Sequence, residues 1–112
     1  MSARLETRLW LAQRGSAAIL AFCVAVHLAT MIVAVRGGLT ASDILDRTHG
    51  SVRWAAFYAL FVVAVSIHAP LGLRTIAGEW LGFRGRGADV VFALFCAALL
   101  GLGALAIVAV TR

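Results

Sequence analysis

The chain has 112 residues, of which 62% are hydrophobic and 13% are charged, and its net charge is +5. A soluble domain of this size could not bury so much apolar surface, because small folds leave a large share of their surface exposed. The basic residues are all arginines that flank apolar runs without interleaved aromatics, so the composition favours a lipid environment and argues against nucleic-acid binding.

The first apolar run covers residues 15–35, and about 20 such residues are enough to cross a bilayer core. The run is too long for the apolar region of a signal peptide, and no clear cleavage site ends it, so we expect a retained membrane span. A ridge of small residues, suited to close helix contact, recurs every four positions. Its members are Ala17, Ala21, Ala25 and Ala29.

Another side of the first span carries mildly polar side chains. These are Gln13, Ser16, Cys23, His27 and Thr30. Lipid tolerates such a side poorly, so we expect it to face a protein interior or a ligand. Cys23 and Cys96 both lie deep in apolar runs and form no metal-binding spacing, which predicts two small buried hydrophobes.

The link over residues 36–50 contains a stop signal and a start signal for helices. Gly37 and Gly38 end the first helix, and the stretch "TASD" resembles a capping signal. These features predict a short interfacial helix over residues 41–47. His49 lies in this link, where we expect it to be solvated.

The second span, over residues 52–77, carries the most distinctive stretch, "HAPLGLRTIAGEW". Helical spacing places His68, Gly72 and Glu79 on one side, and Pro70 removes one backbone hydrogen bond. An ionisable group inside a membrane is costly, so a histidine there is a functional hypothesis, although a hydrogen bond to a neighbouring helix is the simpler alternative. For His68 we favour function, because Gly72 should leave a gap beside an imidazole, as a flat macrocycle containing iron requires.

The third span covers residues 88–110, after a glycine-rich link over residues 78–87. Its small ridge of Ala93, Ala97 and Gly101 has no polar companion, which predicts a structural role. The sequence therefore predicts one all-α membrane domain, residues 1–112, whose three transmembrane helices form part of a larger helical bundle.

The arginines divide unequally between the two ends of such an up-and-down bundle. One end holds Arg4, Arg8, Arg14, Arg74, Arg84 and Arg86, and the other holds Arg36, Arg47, Arg53 and Arg112. The excess of positive charge at the first end predicts a cytoplasmic N-terminus.

The stretch beginning at His68 resembles the second-helix signature of the membrane anchor subunits of succinate dehydrogenase and fumarate reductase. In that signature a heme-ligating histidine is followed by a glycine four residues later, then an arginine, and further on an acid and an aromatic residue. Here these positions are His68, Gly72, Arg74, Glu79 and Trp80. The stretch "QRGSAAIL" is similar to the start of the family's first helix, so the resemblance covers nearly the whole chain.

The resemblance implies a role for each matching residue. His68 would be an axial ligand of heme b, Arg14 and Ser16 would lie near the quinone and the heme propionates, and Glu79 and Trp80 would lie near the quinone pocket. Arg74 would pair with a propionate or polarise a quinone oxygen. The second axial ligand would come from a partner anchor chain, or from His27, which could instead hold a second heme.

The sequence departs from the family's pattern at three positions. Trp80 replaces a tyrosine and can donate only through its indole N–H. Gln13 stands where the family has a histidine, and Trp10 stands where it sometimes has a serine. These departures concern the quinone site, whereas the heme-ligand position, His68, keeps the residue of the family's pattern.

We therefore interpret the chain as a membrane anchor of a succinate:quinone oxidoreductase-type complex in a bacterial inner membrane. It would bind heme b and ubiquinone or menaquinone beside a second anchor subunit, hold a flavoprotein and an iron–sulfur subunit, and catalyse nothing alone. The alternatives are a cytochrome b subunit of another respiratory complex, such as a hydrogenase, and a heme-free structural or transport protein.

Overall fold

The computed structural model of the chain describes residues 2–112 and contains no strand among them. Its helices are α1 (Ala3–Arg36), α2 (Ala41–Thr48), α3 (Val52–Trp80) and α4 (Arg86–Thr111). The helices α1, α3 and α4 are long and apolar enough to cross a membrane. The predicted all-α membrane fold is confirmed, and each predicted span lies inside one of these three helices.

Helix α1 is longer than a membrane requires. Its 34 residues span about 51 Å, whereas the hydrocarbon core of a bilayer is about 30 Å thick. The side chain of Ser2 caps the first turn by accepting a hydrogen bond from the backbone N–H of Leu5 at 3.2 Å. The helix ends before Gly37, as predicted, and Gly38 takes a positive φ of 64° that favours glycine. The first turns, with Arg4 and Arg8, therefore extend beyond the apolar run.

Helix α2 is the short helix predicted between the first two spans. The backbone N–H of Asp43 donates to the Thr40 hydroxyl at 3.2 Å, and the backbone N–H of Thr40 donates to the Asp43 carboxylate at 2.8 Å. This reciprocal pair is a capping box. The hydrogen bond from the Thr40 backbone holds the pKa of Asp43 below its ordinary value, because it favours the ionised carboxylate.

Helix α3 lies between α1 and α4 and packs against both. It approaches α4 closely at Gly103, where an added Cβ would lie only 2.8 Å from Val62 Cγ2 and closer still to Val62 Cγ1. Carbon atoms in favourable contact lie about 3.5–4.0 Å apart. Only glycine at this position therefore allows the observed approach of the two helices.

The link between α2 and α3 caps the C-terminal end of α4. The Thr48 hydroxyl donates to the backbone oxygen of Val110, and the backbone N–H of Gly50 donates to that of Thr111 at 2.7 Å. His49 Nδ1 donates to the backbone oxygen of Arg112 at 3.0 Å, while its side chain is exposed, as predicted. The carbonyls at a helix end lack partners within the helix, so these hydrogen bonds fix α4 against the link.

The small ridges predicted for helix contact are not packed within this chain. On α1 the residues Ala21, Ala25 and Ala29 are exposed, and only Ala17 is half-buried. On α4 the three ridge residues Ala93, Ala97 and Gly101 are also exposed. Helix α3 contacts α4 at Gly103 and contacts the polar side of α1. The two small ridges lie on other sides of α4 and α1, so both ridges face away from α3.

Candidate functional site

The polar side of α1 faces α3, as the sequence predicted. Ser16 is 6% exposed and Cys23 is fully buried, whereas Ala21, Ala25 and Ala29 on the alanine ridge are exposed. We call this contact the α1–α3 seam. It contains Gln13, Ser16, Cys23, His27 and Thr30 from α1, and Tyr58, Phe61, His68 and Gly72 from α3. The seam therefore brings both candidate heme ligands to one side of α3.

His27 is enclosed by aromatic rings at one end of the seam. Its imidazole meets the rings of Tyr58 and Phe61 edge to face, with centroids 6.0 and 5.7 Å away. Its Nδ1 atom is buried and has no hydrogen-bond partner among residues 2–112. The Thr30 hydroxyl donates to the backbone oxygen of His27 at 2.7 Å, so it is engaged away from the ring.

His68 lies further along the seam, towards the C-terminal end of α3. Phe61 and Gly72 both contact α1, and helical spacing places His68 between them on the same side of α3. The His68 Nδ1 atom is buried and, within the described part of the chain, has no hydrogen-bond partner. A buried nitrogen without a partner carries a free-energy cost, and such an atom in a folded protein calls for an explanation.

The gap predicted beside His68 is filled. A Cβ built on Gly72 would lie 3.2 Å from Gln13 Nε2, so the Gln13 side chain occupies the space that the glycine provides. The Gln13 Oε1 atom is itself buried without a partner among the described residues. Gly72 therefore serves a close approach of α1, and a macrocycle at His68 would need the flexible Gln13 side chain to turn aside.

The two seam histidines lie at different depths. Gln13 is opposite Gly72 and His27 is opposite Phe61, so α1 and α3 run antiparallel. His68 is about 10 Å further along α3 than Phe61, given a rise of about 1.5 Å per residue. Two axial ligands of one heme must face each other across the iron, so this offset argues against one iron shared by His27 and His68 of one chain.

Arg14 and Ser16, which the sequence predicted to lie together near the quinone and the heme propionates, are separated in the structure. The Ser16 hydroxyl donates to the backbone oxygen of Gln13 at 3.1 Å and is buried against α3. Arg14 is exposed, and its guanidinium lies 5.5 Å from the centre of the Trp10 ring. Because two residues along a helix correspond to a rotation of roughly 200°, Arg14 and Ser16 face different sides of α1.

A cleft of about 260 Å³ lies where α3 ends and α4 begins. It is lined by Arg74, Thr75, Gly78, Glu79, Phe83, Arg84, Gly85 and Ala88. The structure thus brings together Arg74 and Glu79, both of which the sequence predicted to bind a cofactor, with Glu79 near the quinone pocket. Trp80 is 82% exposed and does not line the cleft. The sequence analysis did not predict Thr75, Phe83 and Arg84 as residues of a binding site. Arg84 was noted only as part of a positively charged link.

Both arginines of the cleft are held by neighbouring groups. Arg74 Nε donates to the Asp89 carboxylate at 2.8 Å, and Arg84 Nε donates to the backbone oxygen of Gly78 at 3.0 Å. A guanidinium has five N–H donors, so each arginine retains donors for another acceptor. The cleft can therefore bind a carboxylate or polarise a carbonyl oxygen beside the exposed carboxylate of Glu79.

Within residues 2–112 no three histidine, cysteine, aspartate or glutamate side chains lie close enough together to hold a metal ion. A heme needs fewer protein ligands, because the macrocycle supplies the equatorial nitrogens and the protein supplies axial ones. The His68 imidazole, whose Nδ1 atom is buried without a partner among residues 2–112, would fit as one axial ligand of such a group, and Arg74 and Arg84 lie at the same end of the molecule.

These features define a multi-pass helical membrane protein with an unsatisfied polar seam and a basic cleft at one end. Residues 1–109 match the family described as succinate dehydrogenase/fumarate reductase transmembrane subunit. The chain belongs to this family, which confirms the resemblance found from the sequence. No curated protein and no solved structure matches the chain.

Proposed function

We propose that the chain anchors a flavoprotein and an iron–sulfur subunit to the membrane, binds heme b through His68, and contributes to a quinone site. Membership of the transmembrane-subunit family supports the anchoring role. The observation that carries the heme proposal is the Nδ1 atom of His68, which is buried in the α1–α3 seam without a hydrogen-bond partner among residues 2–112.

His68 is the axial ligand in this proposal. When bound, heme b supplies one-electron transfer at the iron. His68 would hold the iron through a ring nitrogen of its imidazole. Because His27 lies at another depth, the opposite ligand comes from the second anchor subunit. His27 remains a candidate for a second heme, which would have to enter beside the rings of Tyr58 and Phe61.

The arginines at the cleft end of the molecule are placed to bind negatively charged groups. Arg74 and Arg84 are placed to pair with heme propionates or with a quinone oxygen that gains charge on reduction. Asp89 competes for Arg74, and since this ion pair is partly exposed its loss is inexpensive. Arg14 is free to join them by leaving the Trp10 ring, because cation–π contacts at exposed sites are weak.

The quinone headgroup, of ubiquinone or menaquinone, would bind at the cleft. Arg74 supplies hydrogen-bond donors to a carbonyl oxygen, and Glu79 is placed to deliver or receive a proton. Phe83 supplies an apolar wall. Trp80 lies outside the cleft lining and would donate only through its indole N–H, and Ser16 lies in the α1–α3 seam, which contributes no residue of α1 to the cleft.

The orientation follows from the charge at the two ends. The cleft lies at the end with six of the ten arginines, which we assign to the cytoplasmic face of a bacterial inner membrane. The N-terminus and the attached flavoprotein and iron–sulfur subunits lie on that face. The chain has no catalytic activity alone, and a succinate dehydrogenase or fumarate reductase activity belongs to the complex.

A heme-free anchor is the second candidate, and one observation favours it. The Gln13 side chain fills the space beside Gly72 that a macrocycle near His68 would use. In that case the seam would only join α1 to α3, while the cleft would still bind quinone.

Affinity purification tests the anchoring role. The chain, tagged at one terminus and extracted from membranes in mild detergent, should bring with it flavin, iron–sulfur clusters and succinate-dependent reduction of an artificial electron acceptor. A tagged chain that purifies with a dehydrogenase of another substrate, such as hydrogen, or with no redox subunit at all, would contradict the proposal.

A further inference from the structure

An apolar groove lies at the opposite end of the molecule from the cleft. It has a volume of about 330 Å³ and runs between the second half of α1, helix α2 and the first half of α3. Its apolar walls include Met31, Val33, Ala34 and Ile44. Ligand pockets usually have volumes of about 300–1,000 Å³, so the groove holds one narrow apolar chain.

The groove has a single charged residue in its lining, Arg47. Among residues 2–112 no carboxylate lies within ion-pair distance of Arg47. Asp43, one turn earlier on α2, accepts a hydrogen bond from the backbone N–H of Thr40, which is the main cause of its lowered pKa, and attraction to Arg47 contributes less. Arg47 is therefore an exposed cation at the edge of an apolar groove, which fits an anion attached to an apolar chain.

The polar groups along the groove favour an anion over a neutral carbonyl compound. The Thr30 hydroxyl already donates to the backbone oxygen of His27, and the Thr48 hydroxyl already donates to that of Val110. Trp54 and Tyr58 line the α3 side, and such rings are enriched at the level of lipid headgroups. Arg47 thus supplies the fixed positive charge among the described residues that line the groove.

We infer that this groove binds an anionic phospholipid, with the phosphate on Arg47 and one acyl chain against Met31, Val33 and Ala34. The inference does not depend on the heme at His68 or on the quinone cleft, which lie at the other end of the molecule, but it excludes a second heme at His27, because His27 lines the groove. Exposed Val33 and Met31 gain cover from the acyl chain, and α2 is fixed against α1 through the headgroup.

Native mass spectrometry of the purified membrane complex tests this site. The complex is stripped of lipid in neutral detergent and titrated with dioleoylphosphatidylglycerol or, separately, with zwitterionic dioleoylphosphatidylcholine. We expect Arg47→Gln to weaken the tightest phosphatidylglycerol binding at least fivefold and Arg47→Lys to restore much of it. Arg53→Gln is the matched control, since Arg53 is exposed at the same end but does not line the groove.

A second pair of variants tests the acyl chain. Ala34→Phe fills the groove and should abolish the tight site, whereas Ala25→Phe, at an exposed position outside the groove, should leave it intact. Equal loss in Arg53→Gln, equal affinity for the two lipids, or equal competition by inorganic phosphate alone would overturn the inference. A heme signal lost in His27→Ala would also overturn it, because that heme would occupy the groove.

Discussion

Gly103→Ala tests the packing of α3 against α4. The new methyl group would lie 2.8 Å from one methyl of Val62 and closer still to the other. Because favourable carbon contacts need about 3.5–4.0 Å, the helices would have to separate locally by up to about 1 Å. Overpacking of this kind costs about 1–3 kcal/mol, which exceeds the gain of about 0.5–1 kcal/mol from replacing glycine within a helix.

The assay is thermal unfolding of the purified complex in detergent, with Gly101→Ala as the matched control. Gly101 has no atom within 4 Å of its added Cβ, so that variant should be neutral or slightly stabilising. Val62→Ala removes the clashing methyls and should recover part of the stability lost in Gly103→Ala. Equal melting temperatures for Gly101→Ala and Gly103→Ala would refute the packing argument.

Three further predictions concern the two ends of the bundle. Thr48→Val removes the hydroxyl donor to Val110 and should lower the free energy of unfolding by about 0.5–1.5 kcal/mol, measured by thermal unfolding beside Thr7→Val, an exposed control. Asp89→Asn should cost no more than about 1 kcal/mol, since its ion pair is partly exposed; a larger loss of stability would contradict this estimate. The stabilisation that Asp43 gives to α2 should be complete above its ordinary pKa of 3.8 and be lost as pH falls through its lower folded pKa. Hydrogen exchange in α2 should show this loss, and Asp43→Asn should remove the pH dependence.

The helices were predictable because their signals are local. Hydropathy over about 20 residues identifies a membrane span. Thr40 and Asp43, which lie within four consecutive positions, indicate the start of α2. The polar side of α1 was also predictable, since His27 inside a membrane segment must avoid lipid. Each of these inferences depends on the sequence of one helix and needs no knowledge of its neighbours.

Features set by contact between helices were not predictable. Gly72 indicated a gap near His68, but the long side chain of Gln13 from α1 fills it. The α4 ridge including Ala97 suggested close contact, whereas the actual approach occurs at Gly103, because the direction in which α3 lies cannot be read from α4 alone. Arg84 lines the cleft and donates a hydrogen bond to the backbone oxygen of Gly78. This contact depends on the turn between α3 and α4, so it could not be predicted from either helix alone.

The most direct test of the account is the reduced-minus-oxidised absorption spectrum of the purified membrane complex and of its His68→Ala and His49→Ala variants. The account predicts a b-type α-band that is lost in His68→Ala and retained in His49→Ala, where the exposed imidazole only caps α4. An α-band that survives in an assembled His68→Ala complex, or its absence from the parent complex, would contradict the assignment of His68 as a heme ligand.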